Sequence, residues 1–125
     1  MGLTLGATAQ TQAGSAQDAI IAALAAQAGG ATFSAAKGKA FFEATRSGGK
    51  PATPSCSTCH TKNPRAMGKT RVGKLIQPMA LSLTPDRFSD PAKVAKWFRR
   101  NCKSVLGREC SPTEKGNFLT YLTNL

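Results

Sequence analysis

The sequence has one histidine, one tryptophan and one tyrosine in 125 residues. A cage of several histidines round a metal ion is therefore excluded, and so is a pair of catalytic histidines. Acidic residues are scarce: six Asp and Glu stand against 17 Lys and Arg, a formal net charge of +11. No apolar run approaches the ~18 residues that span a bilayer. Aromatic residues make up only 6%. A domain of this length with so few has a thin core, which leaves room for something besides side chains to help fill it. Yet 41% of the residues are hydrophobic, too many for a disordered basic tail. The length suits one domain.

The charge is unevenly placed, because Asp18 is the sole charged residue before Lys37. Residues 1–14 read as a flexible terminus or the remnant of a secretory signal. Thr11-Gln12-Ala13 resembles a small-x-small cleavage site, although the basic start and apolar stretch of a signal are missing. Residues 15–125 read as a single domain. Ser15 and Asp18 suggest a capping box variant at the start of a helix that Gly29-Gly30 ends. A second helix is predicted from Ser34 to about Arg46, anchored by Phe41 and Phe42. A third starts at Asp90 and Pro91 and runs to about Cys102. A fourth starts at Ser111, with Glu114 completing a capping box, and carries Phe118, Leu119, Leu122 and Leu125. No strand-like alternation exceeds four residues. The expected class is all-α, with four to five helices and a long irregular middle over residues 50–85. So long a loop in a compact domain calls for a reason, and wrapping a cofactor is one.

Cys56-Ser57-Thr58-Cys59-His60 has the pattern C-x-x-C-H. It reads as c-type haem attachment. Two cysteines three apart on a helical turn reach the two vinyl groups, and the next residue aims its imidazole at the iron. A thioredoxin-type motif would want a βαβ context, which is absent. A zinc site from Cys56, Cys59, Cys102 and Cys110 lacks a second C-x-x-C. Haem attachment leaves Cys102 and Cys110 over. They read as a disulfide, in keeping with an exported protein, or as two buried thiols.

His60 supplies one axial bond, and the group on the other side decides the chemistry. A second histidine does not exist. Met67 lies too close in sequence to loop round to the opposite face, whereas Met79 lies farther on, after Pro78. The third helix offers another candidate. Val94, Trp97, Phe98, Asn101 and Val105 form one stripe at helical spacing, which Asn101 interrupts with an amide. Asn101 either caps backbone groups near the helix end or faces the iron.

From about Lys37 to Leu125 the chain resembles the SHP family of high-spin, oxygen-binding cytochromes c. The resemblance is carried by Gly49-Lys50-Pro51 and by Thr53-Pro54-Ser55-Cys56 leading into the haem motif. It continues through residues 68–74 (GKTRVGK), Thr84-Pro85-Asp86-Arg87-Phe88 and Arg100-Asn101-Cys102. Ser104-Val105, Gly107-Arg108, Cys110 and Glu114-Lys115 complete it. It implies a small cytochrome c-like fold around one covalent haem c and its iron. It also implies axial ligation by His60 and Asn101, and a disulfide between Cys102 and Cys110. A sister group similar to cytochrome c″ carries His at the Asn101 position. Met79 departs from the family pattern, and so do the first ~35 residues, which match poorly.

An amide oxygen is a weak-field, hard ligand that suits Fe(III) better than Fe(II). The expectation is a high-spin ferric protein that releases Asn101 on reduction and then binds O₂, NO or CO. An enzyme reducing O₂, a peroxide or a small nitrogen species is one alternative. A plain electron carrier using His60 and Met79 is another. Lys62, Arg65, Lys69, Arg71 and Lys74 follow the haem motif, and Lys93, Lys96, Arg99 and Arg100 lie on the third helix. Such a positive rim would steer an acidic redox partner such as another cytochrome. Nucleic acid is not expected, since aromatic interleaving and a recognition motif are missing. The expected location is the periplasm.

Overall fold

A computed structural model describes residues 14–125; the expected signal remnant therefore falls outside the described residues, apart from Gly14. The chain forms α1 (Ser15–Gln27), α2 (Ala35–Glu43), α3 (Ser57–His60), β1 (Gly68–Lys69), β2 (Leu75–Ile76), α4 (Pro91–Leu106) and α5 (Pro112–Thr123). The all-α expectation holds, with five helices. The two strands are an addition: they pair antiparallel, Gly68 with Ile76 and Lys69 with Leu75. Two residues a side are too few to show as alternation in the sequence.

α2 and α5 pack on each other, and α1 lies on α5. Gly38 makes the first contact possible: a Cβ there would run into the Asn117 carbonyl oxygen and lie 2.7 Å from Tyr121 Cβ. Phe42, Phe118, Leu119, Tyr121 and Leu122 fill the crossing, with Ile20 and Leu24 from α1 and Met79 from the middle segment. The aromatic residues make a continuous run. Phe41 meets Phe118 edge-on at 6.3 Å, and Phe98 of α4 meets Phe118 at 5.4 Å.

Helix ends follow the local chemistry, with three differences from expectation. α5 has the capping box: Glu114 N donates to Ser111 Oγ at 3.1 Å, and Ser111 N donates to Glu114 Oε1 at 2.8 Å. Asp90 caps α4 by accepting from Ala92 N and Lys93 N. α1, by contrast, has no side-chain cap, because Ser15 is its first residue and Gly14 stands at the cap. α2 stops at Glu43 rather than near Arg46, since Ala44 is extended and Arg46 N turns to the Pro54 carbonyl at 2.6 Å. α4 continues one turn past Cys102, to Leu106. Gly107 then ends it in the left-handed region (φ 76°), where its amide closes on the Lys103 carbonyl.

The middle segment is tied down at several points. Ala80 N donates to the Pro64 carbonyl, and Leu81 N to the Leu122 carbonyl of α5. The buried Gln17 of α1 donates through Nε2 to the carbonyls of Arg87 (2.8 Å) and Pro85 (3.2 Å).

Candidate functional site

The short helix α3 is shaped by serine and threonine hydroxyls. Ser55 Oγ donates to the Phe42 carbonyl at 3.3 Å, lies 2.7 Å from Ser57 Oγ and accepts from Ser57 N. Ser55 N donates to Thr58 Oγ1. These bonds replace the side-chain packing that a longer helix would have, and they fasten the turn to the end of α2. Thr61 ends it at φ 61°, and its hydroxyl both accepts from Asn63 N and donates to the Asn63 carbonyl. The hairpin then lies close against α3, because Gly68 leaves room for the Cys59 carbonyl.

The turn brings Cys56, Cys59 and His60 together, with both thiols free. Burial pushes the Cys56 thiol up to about 11, so it stays protonated at neutral pH rather than acting as a redox thiolate. Burial, and after it the charge of Arg87, lowers the His60 imidazole to about 4. It is therefore neutral and available as a nitrogen ligand. The His60 ring lies against Phe42, with centroids 6.3 Å apart. Its Nδ1 is buried and has no hydrogen-bond partner. The described residues hold no cluster of three or more His, Cys, Asp or Glu side chains able to bind a metal on their own. Two free thiols, one neutral imidazole and no further protein donor set suit a metal that arrives in its own macrocycle. The apolar residues nearby agree, since Met67 beside β1 and Leu75 in β2 are 42% and 62% exposed on the hairpin that packs on α3.

Cys102 and Cys110 form a disulfide, which removes both the zinc reading and the reading as buried thiols. Asn101 precedes Cys102 on α4. Its side chain is exposed and shares no hydrogen bond with the described residues, so it does not cap the helix end. The expected stripe is corrected accordingly. The buried face of α4 runs through Cys102, Val105 and Leu106, with Val94 and Phe98 half-buried, while Trp97 and Asn101 lie on an exposed flank. Trp97 is 51% exposed, with Lys96 Nζ at 5.7 Å and Arg100 Cζ at 5.6 Å from its ring. The end of α4 is clamped to the segment that leads into the haem motif. Lys50 N donates to the Ser104 carbonyl at 2.7 Å, and Thr53 Oγ1 donates to the same carbonyl and pairs with Ser104 Oγ.

Met79 is only 7% exposed and belongs to the buried core that also holds Phe42.

Every basic residue named from the sequence is exposed: Lys62, Arg65, Lys69, Arg71 and Lys74, and Lys93, Lys96, Arg99 and Arg100. No Asp or Glu occurs between Glu43 and Asp86, so the haem motif lies in a segment of one sign. None of the described helices is long and apolar enough to cross a membrane. Nothing in the sequence pattern places Phe42 against His60, where the structure puts it. The spacing of Asp86-Arg87-Phe88 does not tell where the guanidinium goes, which is to the Pro78 and Gln77 carbonyls.

A family described as a domain of unknown function (DUF1924) matches residues 28–122. The cytochrome c-type protein SHP of Cereibacter sphaeroides is 54% identical over 95 residues, 76% of this chain and 74% of that protein. The structure of oxidized SHP, described as an oxygen-binding cytochrome c, matches with a TM-score of 0.82 at 51% identity, covering 85% of this chain and 94% of that one. Oxidized cytochrome c″ from Methylophilus methylotrophus matches with a TM-score of 0.69 at 35% identity, covering 86% of this chain and 92% of that one.

Proposed function

The chain belongs to the cytochrome c family of SHP, with haem c and its iron as cofactor, and we propose that it is an oxygen-binding member with His60 and Asn101 as axial ligands. Haem, when bound, would supply a redox-active iron able to take a small diatomic ligand. Everything else comes from the chain. Cys56 and Cys59 would hold the haem as thioethers. His60, neutral and buried, would give the iron a nitrogen. Asn101 would offer its amide oxygen to the ferric iron.

The observation that carries this reading is the Asn101 amide, which is exposed, shares no hydrogen bond with the described residues and rides on a helix clamped to the haem segment through Lys50, Thr53 and Ser104. A neutral amide is a poor ligand for ferrous iron, so reduction would release it. Swung aside, its NH₂ can donate a hydrogen bond to O₂, NO or CO entering the position it left. The disulfide at the next residue limits how far it swings. Ligation by Met79 is disfavoured by its burial in the hydrophobic core.

Electrons would come from an acidic redox protein drawn to the positive segment round the haem motif. Two thioethers and a disulfide fit the periplasm. Residues 15–125 would act as one domain. Optical spectra of the ferric and ferrous forms, with and without CO, test the reading. High-spin ferric features and a CO-reactive ferrous form are expected. A low-spin ferric spectrum with a thioether-to-iron near-infrared band would overturn it.

A further inference from the structure

Gln17, near the start of α1, donates to the carbonyls of Pro85 and Arg87, just ahead of α4. At its other end α1 leads to Phe33, whose ring lies against Gly116 of α5: a Cβ there would run into it. α1 therefore reaches from the start of α4 to the first turns of α5. Ile20 and Leu24 turn into the core. Beside them a groove of about 350 Å³ stays open between α1 and α4. Ala19, Ala23 and Leu24 wall it on one side, and Val94, Ala95 and Phe98 on the other.

One charged group lines this groove, and it is positive. Lys115 of α5 stands at the end where α1 finishes, with its Nζ 5.8 Å from the centre of the Phe98 ring. A smaller cleft of about 150 Å³ shares Ala95 and Lys115 with the groove and adds Arg99, Glu109 and Cys110. Across the two, Lys115 and Arg99 stand against one carboxylate, Glu109. Neither cation is in an ion pair with the described residues, whose one such pair is Arg108–Glu114. An apolar trough thus ends in a site of net positive charge.

We propose that the groove between α1 and α4 binds one single-chain carboxylate, its alkyl tail lying between Ala19 and Val94 and its head at Lys115 and Arg99. Size favours such a ligand. From Ala16 to Gln27 the helix rises about 16 Å. A volume of about 350 Å³ spread over that length leaves a cross-section of about 20 Å². That admits one extended alkyl chain and excludes a partner helix, which is about 10–12 Å across. Charge favours it as well, because a neutral ligand leaves Lys115 unmatched and a cation is repelled by it. The tail covers apolar surface on both walls, while the head stays at the rim, where an exposed ion pair adds little affinity but selects the sign. The groove shares no residue with the haem motif or with Asn101, so the proposal goes beyond the oxygen-binding reading and does not depend on it.

The test is calorimetric titration of the holoprotein with decanoate and with decanol, which has the same tail and no charge. The parent should take up one decanoate. K115Q should weaken decanoate about fivefold, the upper scale of an exposed ion pair, and leave decanol unchanged. A95F fills the groove from α4 and should abolish both. A19F fills it from α1 and replaces A95F if that variant fails to fold. K74Q, on the exposed hairpin, should bind decanoate as the parent does. No uptake by the parent would overturn the proposal, and so would undiminished binding in A95F or A19F. An equal loss in K74Q and K115Q would mean diffuse attraction to a basic surface, which also overturns it. So would a dimer that decanoate splits, since the groove would then belong to a second copy of the chain.

Discussion

The backbone amide of Lys50 donates to the carbonyl of Ser104 at 2.7 Å, joining the run into the haem motif to the last turn of α4. Lys50 lies just ahead of Cys56, and Ser104 one turn past Asn101. Together with the Thr53 bonds to Ser104, it couples the segment leading into α3, which bears His60, to the helix that bears Asn101. Gly49 makes the approach possible, since a Cβ there would run into the Ser104 carbonyl. In the proposed function, this seam would keep Asn101 within reach of the iron while leaving its amide free.

G38A should destabilise the holoprotein by about 3 kcal/mol, because the added methyl meets the α5 backbone and the helices must part. Urea unfolding at neutral pH checks it. A loss below about 0.5 kcal/mol, the scale of an ordinary surface substitution, would mean that the crossing of α2 and α5 is looser than described.

Replacing both Cys102 and Cys110 with serine should cost about 2–3 kcal/mol, the loop-closure value for so short a ring. Thermal unfolding reads the stability. Ferrous CO recombination reads the second effect, since Asn101 on an untethered helix end should compete with CO differently. Unchanged CO kinetics would remove the disulfide from the account of ligand release.

Glu114 has its carboxyl lowered to about 2 from an ordinary 4.5. The Arg108 hydrogen bond is the main cause, and the Ser111 amide helps. A depressed carboxylate stabilises the fold above its unfolded value. That contribution is fully present above about 4.5 and is lost as pH falls toward 2. E114Q should therefore flatten the pH dependence of stability between those limits, modestly, because the pair is largely exposed. Equal slopes in the two proteins would contradict this.

M79L should leave the ferric spectrum unchanged and cost less than about 1.5 kcal/mol, since the swap conserves volume in the core. Loss of a low-spin component on this substitution would restore Met79 as a ligand.

Much of this was legible in the sequence because it rests on local chemistry. The Ser111–Glu114 box, the Asp90-Pro91 start and C-x-x-C-H each need only a few neighbouring residues, and all three took shape as read. The stripe on α4 was misread because helical spacing gives a face without saying which flank is covered. Trp97 and Asn101 are exposed, while Cys102 and Leu106 are buried. The hairpin was too short to leave a pattern. Phe42 was invisible as a neighbour of His60, since it meets the ring through the fold of the chain rather than through nearby sequence.

The ferric spectrum of N101H tests the central claim most directly. If Asn101 stands opposite His60, an imidazole in its place binds the iron strongly, and the parent's high-spin spectrum becomes low-spin with histidine on both faces. A spectrum identical to the parent's, in a protein that has folded and taken up haem, would mean that residue 101 does not face the iron.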